Sequence, residues 1–217
     1  MAIEPEDLAM MKKVREEYSD GSSCAILGDC HIYNETYKSF AEKMNFSRID
    51  TFDINGNPTY KVDLNEELPE QFHGVYDWVI DSGTIYCCFD VSTVFKNMLL
   101  MLKNKGCVVH TSNLTGWFGR GFYSVSPALF RDFYNQNNFK ILKMVTKSRI
   151  NNNFWVENDP DCTYLQRADH KILFQKEAGS DPPLIPNNSQ LGCIAYRENK
   201  IPFTKPVPAH FIQTKGG

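Results

Sequence analysis

The fold of this chain is most tightly constrained by one stretch, residues 77–84, which read DWVIDSGT. The stretch is a short apolar run between polar bounds and has no helical period, which is typical of a buried strand in a parallel sheet. Ligands of open parallel sheets bind outside the carboxyl ends of the strands. We therefore expect the residues that end this strand, Asp81, Ser82 and Thr84, to face a binding site.

The rest of the chain alternates between helical and strand-like segments. Apolar residues at helical spacing predict amphipathic helices at residues 6–18, 36–44, 91–102 and 126–137. Short apolar runs closed by polar residues predict seven strands, at residues 24–27, 48–52, 59–62, 76–81, 107–110, 139–146 and 170–175. Residues 103–106 (KNKG) are interpreted as the turn that ends the third helix. This alternation predicts an α/β fold with a doubly wound, mostly parallel seven-stranded sheet and helices on both faces.

The C-terminal segment differs from this pattern in composition. Residues 178–217 contain six prolines, and we interpret them as a largely irregular arm that follows a domain of residues 1–177. Ile194, Tyr196 and Phe203 favour packing of the arm on the domain or on a partner subunit of a homodimer. A partly disordered tail is the alternative.

Composition narrows the class of protein. The 217 residues carry a net charge of −3 without a long run of one sign, which argues against nucleic acid as the main partner. No apolar stretch is long enough to span a membrane, and the N-terminus lacks the features of a signal peptide. Seven cysteines without a C-x-x-C pair indicate reduced thiols in a cytoplasmic protein. No ligand spacing predicts a metal site.

Acidic residues follow the predicted strands at four places: Gly28-Asp29, Asp53, Asp63-Leu64 and Asp81-Ser82. Because the carboxyl ends of parallel strands meet at one edge of a sheet, these residues predict a single crevice. Asp53 lies 25 residues after Gly28, roughly the spacing at which a carboxylate meets a ribose hydroxyl pair in a Rossmann-like domain. Asp63 and Leu64 suit the amino group and the ring of an adenine. The alternatives are a turn aspartate at Asp53 and a helix cap at Asp63.

With these features the chain resembles the class I S-adenosylmethionine-dependent methyltransferases over about residues 20–176. The resemblance rests on the order of the strand-end acids, on residues 76–84, and on residues 102–107 (LKNKGC), which look like the family's LK-x-GG turn. Residues 121–130 (GFYSVSPALF) are similar to a GFYxFSPxLF segment of bacterial methyltransferase-domain proteins, some from surface-glycan gene neighbourhoods. The first loop departs from the family's GxGxG pattern, because residues 28–33 (GDCHIY) contain one glycine.

The resemblance implies S-adenosylmethionine as the cofactor and a Rossmann-like fold. It also implies methyl transfer by in-line attack of a positioned nucleophile. Carried over by position, the cofactor-binding residues are Gly28 and Asp29 near the methionine part, Asp53 and Ile54 at the ribose, Asp63 and Leu64 near the adenine, and Asp81 and Ser82 at the methionine end or near the acceptor. The implied acceptor is a small molecule or a nucleotide-linked or polymer-bound sugar, methylated at oxygen, in the biosynthesis of a surface polysaccharide.

Three residues are candidates for a role in catalysis. His110 ends the fifth predicted strand and His31 lies in the first loop, so that both are candidate bases. Tyr86 follows the strand of residues 76–81 and suits a hydrogen bond to an acceptor hydroxyl. For each histidine, a structural hydrogen bond is the alternative role.

Four residues are candidates for acceptor binding: Tyr33, Trp117, Arg120 and Tyr123. Three of them lie in a segment with aromatics, flanking glycines and one cation, and Arg120 suits a phosphate or a carboxylate. Packing alone is the alternative for this segment. Two other functions stay open. The glycine-poor first loop favours a methyltransferase-fold binding or scaffold module without turnover. The absence of G-x-G-x-x-G after the first predicted strand argues against a nicotinamide-dependent oxidoreductase.

Overall fold

The computed structural model describes residues 2–117, 119–148, 154–158, 189–209 and 211. The helices are α1 (Pro5–Tyr18), α2 (Tyr37–Met44), α3 (Val91–Met101) and α4 (Pro127–Gln136). The strands are β1 (Ala2–Ile3), β2 (Ser23–Leu27), β3 (His31–Ile32), β4 (Arg48–Asp53), β5 (Tyr60–Lys61), β6 (Tyr76–Asp81), β7 (Leu102–Asn113), β8 (Phe139–Ser148), β9 (Phe154–Asn158) and β10 (Ser189–Arg197). Short 3-10 turns lie at Glu70–Phe72 and Ile85–Cys87.

The main sheet has the order β5-β4-β2-β6-β7-β10-β8-β9. The strands from β5 to β7 are parallel, and β10 runs antiparallel to both of its neighbours. The predicted α/β, mostly parallel, Rossmann-like fold is confirmed. The strand β9, beyond β8, extends the sheet to eight strands among the described residues.

Both faces of the sheet are covered by helices, as predicted. On β2, Cys24 and Ile26 belong to a core cluster with residues of α1 and α2, whereas Ala25 and Leu27 belong to a second cluster with residues of α3 and α4. Successive side chains of a strand point to opposite faces, so both sets must be apolar when both faces are covered. This is why β2 and β6 appear in the sequence as continuous apolar runs.

The strand β10 is the main departure from the prediction. It lies between β7 and β8, inside the segment predicted as an irregular arm, and Leu191, Cys193 and Ile194 are buried. The predicted arm therefore begins too early, and the domain boundary at residue 177 needs correction. Pro186 and Pro202 flank this short apolar run. The proline-rich composition around it therefore led to the prediction of an irregular arm. The strand predicted at residues 170–175 lies outside the described residues.

Residues 103–106 also differ from the predicted turn. The strand β7 begins directly after α3, and its pairing with β6 slips by several residues at this point, which is a bulge in the ladder. Lys105 has a φ of 63°, and a Cβ at Gly106 would lie 2.8 Å from the Asp77 carbonyl oxygen. The Lys103 ammonium pairs with the Asp77 carboxylate at 3.1 Å. The glycine and lysine of this motif thus serve the strand pairing rather than the helix end.

Residues 201–209 run along α4 of the same domain. Gln136 exchanges hydrogen bonds with the backbone of Val207 at 2.7 and 2.9 Å, and Asn137 does the same with Thr204 at 2.9 and 2.8 Å. Prolines cannot donate to a strand ladder. The amide side chains of Gln136 and Asn137 therefore provide hydrogen bonds to the backbone of this proline-rich segment, which does not form a strand.

Arg197 connects β10 to the C-terminal end of α3. Its guanidinium donates to the carbonyls of Leu99 and Leu102 at 2.6 and 2.8 Å. Lysine keeps the positive charge but cannot reach both carbonyls with one fork of donors. We expect Arg197→Lys to lower the free energy of unfolding by about 1–3 kcal/mol, as measured by urea denaturation.

The control for this experiment is Glu198→Gln, at the exposed neighbouring position. We expect this variant to stay within about 0.5 kcal/mol of wild type. Equal stability of Arg197→Lys and the control would contradict the structural role of Arg197.

Candidate functional site

The carboxyl ends of the parallel strands form one edge of the sheet, and the strand order reverses there. From β2 the chain builds outward through β4 and β5, and it then returns to the other side of β2 with β6 and β7. Ligands of open α/β sheets bind in the crevice at such a reversal. The loops after β2 and β6 therefore bound the candidate site.

Gly28, directly after β2, is held against the turn that follows β6. Its N–H donates to the Phe52 carbonyl at 2.7 Å, and Thr84 Oγ1 donates to the Leu27 carbonyl at 2.8 Å. Gly28 has a φ of +86°, and a Cβ there would lie 2.4 Å from Thr84 Oγ1. Both the backbone conformation and the close approach of Thr84 therefore require a glycine.

The rest of the first loop explains the missing glycines. The strand β3 within this loop pairs in parallel with β1, and Ile32 is buried in the core. The Tyr33 N–H donates to the Ile3 carbonyl at 3.0 Å. Strand pairing and a buried side chain fix this loop, so that it does not depend on several glycines. The predicted site residues His31 and Tyr33 are exposed on the loop.

Hydrogen bonds of Asp53, at the end of β4, and of Asp29, in the first loop, connect these two segments of the chain. Asp53 Oδ2 accepts from the Asp29 N–H at 2.7 Å, and its Oδ1 accepts from the Asn55 N–H at 3.0 Å. Asp29 Oδ2 accepts from the Asn57 N–H at 3.3 Å. The turn role of Asp53 is thus present. Each carboxylate oxygen has a second lone pair, so Asp53 also keeps the capacity to accept from a hydroxyl pair. Ile54 follows it and is exposed.

Asp63 and Leu64, after β5, are placed differently from each other. Asp63 is exposed, and its Oδ1 accepts from the backbone and side-chain N–H groups of Asn65 at 2.9 and 2.8 Å. Leu64 is buried in the core, and its carbonyl accepts from the Asn97 side chain at 3.2 Å. Asp63 therefore stays available to a ligand. The predicted contact of Leu64 with an adenine ring does not agree with this burial.

Asp81, at the end of β6, is fully buried and shapes the turn that follows. Its Oδ1 accepts from the N–H groups of Thr84 and Ile85 at 2.7 and 3.1 Å. Ser82 is also buried, and its hydroxyl has no hydrogen-bond partner in the part of the chain that the structure describes. Buried polar groups are almost always paired, so Ser82 suits a bound polar group.

His110 does not lie where a base could reach an acceptor. Its ring is fully buried, Nδ1 lies 2.9 Å from Asp81 Oδ2, and Nε2 is hydrogen-bonded to the Tyr134 hydroxyl. The prediction of a base assumed that the strand ends at His110. The strand β7 instead continues to Asn113, which places His110 inside the sheet.

Cys88 is buried just after the turn that follows β6, and the sequence analysis did not single it out. Burial, with smaller contributions from the charges of Asp81, Cys87, Asp63 and Asp53, raises the pKa of the Cys88 thiol to about 12. The thiol therefore stays protonated. Asp53 and Asp81 end β4 and β6, and Asp63 follows β5, so these three acids share the carboxyl edge of the parallel strands. In the sequence, its signal was its position just after the DSGT turn.

The loop after β7 packs on Tyr86. A Cβ at Gly121 would lie 2.3 Å from the Tyr86 ring, and the Phe122 N–H donates to the Tyr86 carbonyl at 2.8 Å. Burial raises the pKa of Tyr86 to about 12, against the opposing charge of Arg120. The guanidinium also lies 5.3 Å from the ring of Trp117.

Exposed aromatic rings border this loop. Phe89 and Phe122 are 73% and 66% exposed, and their rings meet edge to face at 5.9 Å. The Tyr123 hydroxyl donates to the Phe89 carbonyl at 2.9 Å. Of this aromatic rim (Phe89, Phe122 and Tyr123), Phe122 and Tyr123 lie in the aromatic segment noted in the sequence analysis, and Phe89 was missed. Apolar rings of such exposure favour contact with a ligand or a partner.

Two further features of the described residues bear on the site. Over the described ranges, no three His, Cys, Asp or Glu side chains are grouped so as to hold a metal ion. The helices found in the same ranges are all too short or too polar to cross a bilayer.

Comparison with known proteins extends the description of the fold. No protein-family model matches the sequence, and no match to a curated protein was found. The structure is similar to the N-methyltransferase NodS from Bradyrhizobium japonicum in complex with S-adenosyl-L-homocysteine, with a TM-score of 0.51, 10% identity, and coverage of 88% of this chain and 84% of NodS. An S-adenosylmethionine-dependent methyltransferase from Mesorhizobium loti gives a TM-score of 0.52, 12% identity, and coverage of 88% and 96%. The chain has a methyltransferase fold.

The same fold occurs in a neighbour of the O-methyltransferase kind. StiE O-MT matches with a TM-score of 0.52 and 13% identity, over 92% of this chain and 75% of that one. Identities this low establish the fold and leave the reaction to be argued from the residues of the site.

The approach of Thr84 to Gly28 can be tested with two glycine substitutions. Gly74 has a φ of +66° and no heavy atom within 4 Å of a built Cβ. Gly74→Ala should therefore cost only the left-handed backbone, about 1–2 kcal/mol of unfolding free energy. Gly28→Ala adds a clash with Thr84 and should cost more, as measured by urea denaturation. Equal costs would mean that Thr84 moves aside and that the crevice above Gly28 is open.

Proposed function

We propose that this protein is an S-adenosylmethionine-dependent methyltransferase that methylates a small-molecule acceptor at oxygen. The observation that carries the proposal is the position of Asp53, Asp63 and Asp81 at or just after the carboxyl ends of three parallel strands. It occurs at the reversal of strand order in a sheet with the methyltransferase fold. Ligands of such sheets bind at this position.

The residues of the crevice fit the ribose end of the cofactor best. Asp53 has oxygen lone pairs left for vicinal hydroxyls, and the exposed Ile54 and Asp63 follow on the same side. Asp29 and the Ser82 hydroxyl, which has no hydrogen-bond partner among the described residues, are proposed for the methionine end. When bound, S-adenosylmethionine would supply an electrophilic methyl group on a sulfonium. The chain's own contribution is then to hold the acceptor in line and to exclude water.

The acceptor we propose carries a phosphate or a carboxylate, as a nucleotide-linked sugar does. Arg120 is exposed, and among the described residues no carboxylate forms an ion pair with it. It lies over Trp117, beside the aromatic rim, whose rings suit stacking on a base or a sugar face. Guanidinium groups bind phosphate and carboxylate oxygens in bidentate geometry. Tyr33 and Tyr123 border the same edge.

The acceptor hydroxyl must lose its proton as its oxygen bonds to the methyl carbon. His31, exposed on the first loop, is the candidate base that remains after the burial of His110. Tyr86 stays protonated and suits a hydrogen bond to the acceptor oxygen. We also propose that the protein works in the cytoplasm, where thiols stay reduced. The six cysteines within the described ranges are free.

A second candidate function is a binding or scaffold module without turnover. The observation that favours it is the side chain of Thr84, which already fills the space above Gly28. In this case the fold would bind a ligand through the strand-end acids and would not position a methyl group for transfer. Cofactor binding without turnover across a broad acceptor panel would support it.

Calorimetric titration with S-adenosylhomocysteine tests the cofactor assignment. Asp53→Ala should weaken the affinity by about 1.5–3 kcal/mol, because a charged acceptor of ribose hydrogen bonds is lost. Asp20→Ala, at the opposite edge of the sheet, is the control and should bind like wild type. If wild type fails to bind at millimolar ligand, the proposed function is wrong. An unchanged affinity of Asp53→Ala would remove Asp53 from the site.

The acceptor assignment predicts a selective effect of Arg120→Gln. For an anionic acceptor, kcat/KM should fall by an amount equivalent to about 1.5–3 kcal/mol, because a charged hydrogen-bond partner is lost. For a neutral analogue of the same acceptor, kcat/KM should not change. Lys140→Gln, which removes an exposed cation on β8, is the matched control. An equal decrease for charged and neutral acceptors would contradict the pairing of Arg120 with an anionic group.

A further inference from the structure

Three buried side chains form a continuous row of hydrogen bonds beneath the crevice. The Tyr134 hydroxyl on α4 contacts Nε2 of His110 on β7, and His110 Nδ1 lies 2.9 Å from Asp81 Oδ2 at the end of β6. The other oxygen of Asp81 accepts from the N–H groups of Thr84 and Ile85. The row thus runs from a helix, through the sheet, to the turn that bounds the crevice.

The direction of each hydrogen bond follows from the chemistry of the groups. A carboxylate only accepts, so His110 donates through Nδ1, and Nε2 is then left to accept. Burial raises the pKa of Tyr134, and the charges of Cys193 and Asp81 raise it further, so the phenol keeps its proton and donates. Tyr134 therefore donates to Nε2 and supports the same tautomer of His110 that Asp81 requires.

The row has little freedom to rearrange. The rings of Phe130 and Phe95 lie 4.6 and 5.6 Å from the His110 ring, and His110, Asp81 and Tyr134 are all fully buried. In such surroundings hydrogen bonds strengthen, and an unpaired member is costly. Loss of one hydroxyl should therefore disturb the orientation of its neighbours in the row.

Thr84 connects the row to the first loop. Its N–H is held by Asp81, while its Oγ1 donates to the Leu27 carbonyl and lies against Gly28. We infer that Tyr134 and His110 are positioning residues for cofactor binding, because they orient Asp81 and so fix the turn of residues 82–88. The inference rests on the proposed function, and neither residue reaches the crevice itself.

Tyr76 provides a matched control for the removal of a buried hydroxyl. Like Tyr134, it is a fully buried tyrosine, and its hydroxyl donates to Asp50 Oδ2 at 2.7 Å. Tyr76 lies at the amino end of β6, on the edge of the sheet opposite the crevice. A role confined to core stability would make Tyr134→Phe and Tyr76→Phe equivalent.

The first measurement is the affinity for S-adenosylhomocysteine. We expect Tyr134→Phe to bind about tenfold more weakly than wild type, on the scale of coupling between distinct sites. Tyr76→Phe should bind within about twofold of wild type, a difference below that coupling scale. An equal loss in both variants would overturn the inference, since general destabilisation would then explain it.

The second measurement needs no ligand and separates this inference from the proposed function. Amide hydrogen exchange of Thr84 and Ile85 should speed up in Tyr134→Phe and not in Tyr76→Phe. The ring ¹⁵N shifts of His110 should report Nδ1–H in wild type, and the Nε2 shift should change in Tyr134→Phe because its hydrogen-bond donor is lost. Unchanged exchange of Thr84 and Ile85 in Tyr134→Phe would overturn the inference, even if wild type bound the ligand well.

A pair of His110 variants covers the case in which Tyr134→Phe does not fold. Asparagine places an N–H donor near the position of Nδ1, whereas leucine removes the donor at similar volume. We expect His110→Asn to keep the protection of the Thr84 amide, and His110→Leu to lose it. Equal protection in both variants would show that the bond to Asp81 does not hold the turn.

Discussion

The geometry of the site depends on the carboxylate of Asp81, which is buried without contact to solvent. A buried charge of this kind is costly unless every oxygen is hydrogen-bonded. Asp81 meets this need with two backbone N–H groups of the following turn and with His110. The N–H groups of the turn therefore take the place of water around the carboxylate, and the carboxylate in return holds the turn in place. The DSGT sequence is in this sense one unit.

The turn of residues 81–84 also constrains which residue can follow the neighbouring strand β2. Because Thr84 leans across to the carbonyl of Leu27, the residue after β2 has to be a glycine in a left-handed conformation. The first loop is then fixed by its pairing with β1 and by the burial of Ile32. Strand pairing thus fixes the backbone at the mouth of the crevice, beside the left-handed Gly28.

The sequence predicted the architecture well where local patterns decide it. Apolar runs closed by acids located β2 and β6, since strands covered on both faces need continuous apolar sequence. The strand β10 was missed because its apolar residues lie between prolines, and only its place between β7 and β8 makes it a strand. The end of β7 was also misplaced, because polar residues up to Asn113 continue the ladder.

The edge of the sheet on which the candidate site lies can be predicted more easily than the role of each residue. The common edge of Asp53, Asp63 and Asp81 follows from topology alone. Burial does not follow from topology, because it depends on helices far away in the chain. Tyr134 on α4 covers His110, which turns a predicted base into an internal hydrogen-bond donor. A polar residue near a strand end is therefore a candidate for chemistry only when no distant helix encloses it.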